Sequence, residues 1–144
     1  FTMTHDDGKK VDDLNSADVI LLGVSRTSKT PTSIYLANRG YKTVNVPLVL
    51  DQKIPNGLES NKMSCIIGLV ADAERLADIR RNRVAIMKDH SLKEYTDLNF
   101  IKEEVENSKK LFKRNNWPII DVTRRSVEET AASILKIIEI RKNR

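Results

Sequence analysis

The segment from Ala17 to Gly40 restricts the fold of this chain more than any other. The apolar run Ala17–Leu22 ends at Gly23, and a polar stretch follows. A helical pattern then runs from Thr32 to Asn38 and stops at Gly40. A short apolar run bounded by glycine is typical of a strand buried on both faces. Pro31 suits a first helical turn, where its missing N–H costs nothing. We therefore expect a strand, a small-residue loop and a helix in direct succession.

The loop itself reads Gly-Val-Ser-Arg-Thr-Ser-Lys-Thr and is close to the phosphate-loop pattern G-x-x-x-x-G-K-[ST]. A helix start offers unpaired N–H groups and the positive end of a dipole, which suit a phosphate chain. Lys29 would reach the terminal phosphates, and Thr30 would offer its hydroxyl to Mg²⁺. The predicted phosphate-binding residues are Gly23, Val24, Ser25, Arg26, Thr27, Ser28, Lys29 and Thr30.

Ser28 departs from that pattern, because it stands where the second glycine belongs. If the position requires a positive φ, a serine there carries a strain cost. The alternative interpretation of the segment is a Ser/Thr-rich turn that merely caps a helix.

Strands and helices alternate along the rest of the chain. This alternation predicts an α/β fold, a parallel sheet with helices on both faces, in the three-layer arrangement of P-loop kinases. The last helix has the clearest start, since Ser126 and Glu129 have capping-box spacing. We predict further strands at Thr43–Val46, Cys65–Val70 and Trp117–Val122, and helices at Ala73–Met87 and Phe100–Asn115.

The composition narrows the class of protein. The chain has 144 residues, 40% apolar and 31% charged, which suits one soluble globular domain. No apolar run approaches the roughly 18 residues of a membrane span. Cys65 is the single cysteine and cannot form an intrachain disulfide, so we expect a cytoplasmic protein. The net charge is +5, but aromatic residues do not interleave with a basic stripe, so we expect phosphorylated ligands and no nucleic acid.

The first residues are polar and do not begin with methionine. We expect the chain to be part of a longer protein. Residues 1–16 would be a connector from a missing N-terminal region, and residues 17–144 a P-loop kinase-like C-terminal domain.

Four stretches of the sequence carry a resemblance to a known family. They are His5–Gly8, Gly23–Gly40, Gly68–Leu69 with Glu74–Leu76 and Ile79–Arg83, and Trp117–Pro118 with Ile120–Ala131. These stretches resemble the pyruvate, phosphate dikinase regulatory proteins. The resemblance covers nearly the whole chain, and segments of this length are more specific than a phosphate loop alone. Within the loop, Arg26–Lys29 resembles the dikinase-directed branch, whereas a sister branch that acts on phosphoenolpyruvate synthase tends to keep glycine where Ser28 stands.

The resemblance implies a bifunctional enzyme, a serine/threonine protein kinase and phosphorylase. Such proteins use ADP to phosphorylate a threonine beside the phosphohistidine of the dikinase, which inactivates it. They also remove that phosphate with inorganic phosphate and release pyrophosphate. ADP, inorganic phosphate and Mg²⁺ are the implied small ligands, the dikinase is the implied partner, and homodimer formation stays open.

Beside this resemblance, several charged residues are candidates for the chemistry. Asp6 or Asp7, next to His5, would take the proton of the target threonine or help to hold Mg²⁺; the alternative is a solvated linker. Four arginines resemble the arginine-rich lid of small P-loop kinases, where such groups neutralise charge on the transferred phosphoryl group. They are Arg75, Arg80, Arg81 and Arg83. The spacing of three places Arg80 and Arg83 on one helix face, and these two are the predicted catalytic arginines. The alternative is that the four form a charged outer face of an amphipathic helix.

Two weaker candidates follow predicted strands. Asp72 comes after the third strand, as a Walker-B aspartate would, and Asp121–Arg125 follows the fourth, where small P-loop kinases often contact adenine. Two functions of other classes stay open on the residues alone. One is a small-molecule kinase that uses a nucleoside triphosphate, and the other is a nucleotide-binding module without catalysis.

Overall fold

The computed structural model describes residues 16–49, 54, 57–87 and 96–142. None of the helices within these ranges combines the length and the apolar character that a membrane crossing requires. In chain order the elements are β1 (Val19–Gly23), α1 (Lys29–Asn38), β2 (Thr43–Pro47), β3 (Cys65–Val70), α2 (Ala73–Met87), α3 (Leu98–Arg114), β4 (Ile119–Asp121) and α4 (Val127–Lys142).

The strands form one sheet in the order β2-β1-β3-β4, and every neighbouring pair is parallel. Val19 of β1 pairs with Thr43 on one side and with Cys65 on the other. Because all strands run in the same direction, their carboxyl ends meet at one edge of the sheet. We call this the carboxyl edge; the loops after β1, β3 and β4 all begin there.

The two faces of the sheet are separated by the alternation of side chains along each strand. Val19 and Leu21 of β1 pack in one apolar cluster with Leu36 of α1 and Ile134 of α4. Ile20 and Leu22 pack in a second cluster, which contains Phe112 of α3. The prediction of a parallel sheet with helices on both faces is therefore confirmed.

The ends of three helices follow from local hydrogen bonds. At the end of α1, the N–H of Gly40 bonds to the carbonyl of Ala37 and the N–H of Tyr41 to that of Leu36, a Schellman motif with Gly40 at φ 93°. At the start of α4, Ser126 and Glu129 exchange side chain-to-backbone bonds, so the predicted capping box is confirmed. The carboxylate of Asp97 caps α3.

Several predicted boundaries are wrong by one to three residues, and local hydrogen bonds explain two of these differences. Helix α1 begins at Lys29 and not Thr32, because the carbonyl of Ser28 already accepts the N–H of Thr32. Strand β4 begins at Ile119 and not Trp117, because the N–H of Trp117 bonds to the carbonyl of Phe112 at the end of α3. In each case a hydrogen bond between the loop and the helix decides the boundary.

The closest contact between the sheet and α3 generates a prediction. A Cβ added at Gly68 of β3 would overlap the ring of Phe112, which is fully buried. We expect Gly68→Ala to lower the free energy of unfolding by about 1–3 kcal/mol, the usual cost of overpacking a core. The measurement is urea unfolding of the two single variants and of Gly68→Ala with Phe112→Leu. The double variant should recover part of the loss, and strict additivity of the two single effects would contradict this packing.

Candidate functional site

The loop between β1 and α1 lies at the point where the sheet changes its winding direction. The chain leaves β1 toward β2 on one side, while β3 lies on the other side of β1. In open parallel sheets the crevice outside such a switch point is where ligands bind. The predicted phosphate loop is therefore at the position that the fold favours for a ligand.

The loop backbone is left-handed at two residues that are not glycine. Arg26 has φ 72°, and Ser28 has φ 63° and ψ 26°. Ser28 thus takes the positive φ that the second glycine of the phosphate-loop pattern would supply. Each such residue is disfavoured by roughly 1–2 kcal/mol, and left-handed residues in a tight loop turn successive N–H groups into an anion-binding concavity.

Gly23 at the end of β1 is required by close approach of the loop. A Cβ there would lie 2.5 Å from the hydroxyl of Thr27 and 3.0 Å from the carbonyl oxygen of Leu69 in β3. Thr27 is fully buried, and its hydroxyl donates to the carbonyl of Val24 at 2.8 Å. The sequence pattern placed Gly23 and Thr27 among the phosphate-binding residues, and in the structure the side chain of Thr27 closes the loop from within.

Lys29 folds back over the loop. Its side chain is 6% exposed, and Nζ donates to the carbonyl of Val24 at 2.9 Å and lies 3.5 Å from the hydroxyl of Thr27. An ammonium group has three donors, so Lys29 can bind a phosphate oxygen by adding to or exchanging these contacts. The structure thus places a buried cation at the loop.

The start of α1 differs from those of α3 and α4. Ser28 makes no side-chain capping bond, and no acidic residue lies in the first turn. Asp97 caps α3, and α4 has its capping box and two glutamates in its first turn. The first turn of α1 itself therefore supplies no carboxylate to the positive end of its dipole, and this is compatible with an anionic ligand.

A polar network connects α1 to β2 below the loop. Asn45, fully buried in β2, donates from Nδ2 to the hydroxyl of Ser33 at 3.0 Å, with the hydroxyl of Thr30 at 3.5 Å. Ser33 in turn donates to the carbonyl of Thr30 at 2.8 Å. The sequence analysis missed Asn45. Its signal was an asparagine between two valines in a strand, since asparagine is depleted in strands.

The four arginines of α2 occupy different environments. Arg75, Arg81 and Arg83 are exposed, and Arg81 lies 3.6 Å from Asp78 on the helix surface. Arg80 is fully buried against α3, where Nη1 donates to Glu104 at 2.7 Å and Nη2 donates to the carbonyl of Ser25 at 3.1 Å. Arg80 therefore contacts the loop directly, whereas Arg83, three residues later, faces solvent.

Glu104 was also missed in the sequence analysis. It is 8% exposed and lies on the same face of α3 as the buried Ile101 and Val105. A carboxylate on the apolar face of a helix was the available signal, because such a group is almost always paired when it is buried.

The loops after β3 and β4 are joined by hydrogen bonds. The N–H of Asp72 donates to the hydroxyl of Thr123, and that hydroxyl donates to the carboxylate of Asp121. Burial raises the pKa of Asp121, but hydrogen bonds from Thr123 and the charges of Lys109 and Arg125 outweigh it, so the pKa lies below its usual value. Asp72 and Asp121–Arg125 are thus neighbours at the carboxyl edge. The predicted base residues, Asp6 and Asp7 beside His5, lie outside the described residues.

The described part of the chain also has two open cavities at the opposite edge of the sheet. Their volumes are about 440 and 380 Å³, they share Cys65 and Arg141, and neither contains a loop residue. Burial raises the pKa of the Cys65 thiol against a smaller opposite effect of Arg141. The loop geometry and the switch point favour the carboxyl edge, because a phosphate chain is bound by converging N–H groups and cations rather than by an apolar cavity.

The left-handed conformation of Ser28 can be tested by substitution. Glycine at this position removes the cost of a left-handed residue with a Cβ, about 1–2 kcal/mol. It also lowers stability by roughly 0.4–1 kcal/mol, because it raises the conformational entropy of the unfolded chain. The first effect should exceed the second. We therefore expect Ser28→Gly to leave the free energy of unfolding unchanged or to raise it by up to about 1 kcal/mol, and Ser28→Val to lower it. Ala37→Gly, within α1, is the control and should lower it by about 1 kcal/mol. Equal losses in Ser28→Gly and Ala37→Gly would contradict the geometry.

The bridge between Asp121 and Thr123 predicts a pH-dependent effect. Because the folded pKa of Asp121 is lowered, the stabilisation is fully present above the unfolded value of 3.8 and is lost as the pH falls through the folded pKa. Thr123→Val should lower the free energy of unfolding at pH 7 by about 1 kcal/mol. The difference from wild type should shrink below about pH 4 in urea titrations. A difference in the free energy of unfolding that is constant with pH would show that Thr123 does not lower the pKa of Asp121.

Comparison with known proteins places the chain in a family. A model of the kinase/pyrophosphorylase family matches residues 1–135. A protein of Pelagibacter ubique (strain HTCC1062), provisionally named a pyruvate, phosphate dikinase regulatory protein, is 60% identical over 144 residues, which are 99% of this chain and 53% of that protein.

Two further relatives with the same provisional name are similar over the same region. The one from Bartonella bacilliformis is 56% identical over 138 residues, which are 96% of this chain and 49% of that protein. The one from Erythrobacter litoralis is 49% identical over 137 residues, which are 95% of this chain and 49% of that protein. The chain thus spans about half the length of the curated relatives that it matches. Because the family model matches most of its length, this chain belongs to the kinase/pyrophosphorylase family.

Proposed function

We propose that this chain carries the nucleotide-phosphate site of a bifunctional regulator of pyruvate, phosphate dikinase. In one direction the regulator would transfer the β-phosphoryl group of ADP to a threonine of the dikinase. In the other it would move that group from phosphothreonine to inorganic phosphate and form pyrophosphate. The observation that carries the proposal is the loop Gly23–Thr30, with a left-handed Ser28 and a buried Lys29 at the start of α1. The relatives' names support the dikinase as the target.

The loop residues would act by positioning and charge neutralisation. The N–H groups of the loop and of the first turn of α1 would bind the phosphate oxygens of ADP. Lys29 would move its ammonium group from the carbonyl of Val24 toward the terminal phosphate and neutralise charge there. Arg83, exposed on α2, would add a second cation when the protein substrate is bound.

A Mg²⁺ ion fits the residues at this edge. Magnesium bound with a nucleotide takes few protein ligands, and these are oxygens. The hydroxyl of Thr30, in the first turn of α1, and the carboxylate of Asp72, exposed after β3, are the groups that would hold it. Within the described residues no three His, Cys, Asp or Glu side chains come together as a metal site. The ion would supply charge compensation for the phosphate oxygens.

The proton balance requires a base. When the threonine oxygen forms its bond to phosphorus, the bond between phosphorus and the bridging oxygen of ADP breaks, AMP leaves, and the hydroxyl proton passes to a carboxylate. Asp6 or Asp7 would be that carboxylate, with His5 beside it. In the reverse-type reaction an oxygen of inorganic phosphate attacks phosphothreonine. The bond between phosphorus and the threonine oxygen breaks, and that oxygen takes up a proton.

The decisive experiment uses a full-length protein that contains this sequence. It is incubated with ADP labelled on the β-phosphate and with phosphohistidine-loaded dikinase, and labelled threonine is sought by peptide mapping. We expect label in the dikinase, and we expect Lys29→Met to reduce the rate about 100-fold or more, the cost of removing a group that stabilises the transferred charge. Lys136→Met, an exposed lysine on α4, is the matched control and should retain the rate.

Other outcomes separate the competing functions. Label in a small molecule would indicate a metabolite kinase, and label in phosphoenolpyruvate synthase alone would indicate the sister branch. ADP binding that Lys29→Met weakens, without transfer to any protein, would indicate a nucleotide-binding module. An unchanged rate in Lys29→Met would remove the loop from the mechanism.

A further inference from the structure

A buried ion pair connects α2 and α3 to the loop. Arg80 and Glu104 meet at 2.7 Å, with side-chain exposures of 1% and 8%. Removing two charges from water costs several kcal/mol per ion, so a pair of this kind is weak evidence for stabilisation of the fold. The second terminal nitrogen of Arg80 reaches the carbonyl of Ser25, 55 residues away in the chain. The ion pair therefore does more than join α2 to α3, because it also binds the backbone of the loop.

The contact with Ser25 controls the direction of a peptide group. In a planar trans peptide the C=O and the following N–H point in opposite directions. When Arg80 draws the carbonyl of Ser25 toward itself, the N–H of Arg26 must point away from α2. Lys29 acts in the same way on the preceding peptide, because it binds the carbonyl of Val24 and so turns the N–H of Ser25. Two buried cations thus orient two successive N–H groups.

The second of these two peptide groups joins Ser25 to Arg26, whose backbone is strained. Arg26 is left-handed, and a conformation of this kind persists only where its surroundings hold it. Arg80 provides such a hold from outside the loop, since it belongs to α2 and is itself fixed by Glu104 of α3. Arginine suits the task because its planar guanidinium can bind two acceptors with two separate nitrogens, whereas lysine presents a single compact charge.

We propose that Arg80, oriented by Glu104, is a positioning residue that holds the Ser25–Arg26 peptide in the orientation that binds the phosphates of a nucleoside diphosphate. The proposal rests on the proposed function of the loop. Arg80 acts on the ligand through the loop backbone, and its guanidinium stays on Glu104 and Ser25 rather than moving to the transferred phosphoryl group. It therefore sets the affinity for the phosphate chain more than the rate of the chemical step.

The first test measures the loop without ligand. In Arg80→Lys the amide resonance of Arg26 should shift in a ¹H–¹⁵N spectrum of the full-length protein that contains this sequence, and its hydrogen exchange should accelerate. Glu104→Gln, which leaves the guanidinium without its carboxylate, should shift the same resonance in the same direction. Val105→Ala, at a buried position next to Glu104 on α3, is the control for lost packing and should leave it in place. The proposal would be overturned if the Arg26 amide resonance were unshifted in both Arg80→Lys and Glu104→Gln.

The second test measures ADP. Loss of one charge-assisted hydrogen bond predicts about tenfold or more weaker ADP binding in Arg80→Lys by titration calorimetry. Val105→Ala should bind as wild type at a temperature where both are folded. In the full-length protein, Arg80→Lys should raise the KM for ADP and change kcat by less than about threefold. Unchanged KM with a kcat lower by about 100-fold would show that Arg80 acts on the phosphoryl group directly, and equal weakening in Val105→Ala would show a merely structural role.

The two tests separate the inference from the proposed function. If wild type binds no ADP, or if Lys29→Met binds it as well as wild type, the proposed function fails while the Arg26 resonance still reports whether Arg80 holds the peptide. If Lys29→Met weakens binding and both Arg80→Lys and Glu104→Gln do not, the inference fails and the proposed function stands.

Discussion

The left-handed backbone of the loop after β1 is the constraint around which the candidate site is arranged. Ser28 and Arg26 adopt conformations that are costly for residues with a Cβ. Several buried contacts hold the loop in place. Thr27 bonds within the loop, Lys29 binds the carbonyl of Val24, and Arg80 binds that of Ser25. The carbonyls of Val24 and Ser25 are thus each bound by a buried cation, and this fixes the direction of the peptide groups to which they belong.

The distribution of buried polar groups follows from this constraint. Strand β1 packs against apolar residues on both faces of the sheet. Around the loop that follows it and the start of α1, by contrast, several polar side chains are fully or nearly fully buried. They include Thr27, Lys29, Ser33, Asn45, Arg80 and Glu104. A core optimised for stability alone would use apolar residues at such positions, since buried charges are costly to desolvate. Local violations of this kind are expected where a site must be held in one geometry.

The position of the site illustrates the difference between shape and chemistry. The two cavities described at the opposite edge of the sheet have neither the switch point nor the converging backbone of the loop. A phosphate chain needs aligned dipoles and fixed cations, and these can be presented on an open surface. The carboxyl edge also brings the loops after β3 and β4 together through Thr123, so that Asp72 lies at the same edge as Lys29.

Much of the fold could be predicted from the sequence. Several local signals in the sequence each correspond to a described element. They are the apolar runs at Ala17–Leu22 and Cys65–Val70, the glycine stop at Gly40 and the capping box at Ser126. Two of the boundaries that differed, at Lys29 and Ile119, depended on hydrogen bonds to residues in the adjoining loop or helix. Such bonds depend on the path of the backbone, which a pattern of residue types does not contain.

The candidate site divides in the same way. The sequence by itself determined that a loop with Gly23, Lys29 and Thr30 would follow a buried strand and open a helix, because that pattern is local and its chemistry depends on residue type. Only the tertiary structure decided that Ser28 would be left-handed, that Arg80 would be buried while Arg83 is exposed, and that Glu104 and Asn45 would support the loop. The reason is physical: these contacts join residues far apart in the chain, and they exist only after the parallel sheet has brought β1, β2 and β3 together and α3 has closed over Arg80.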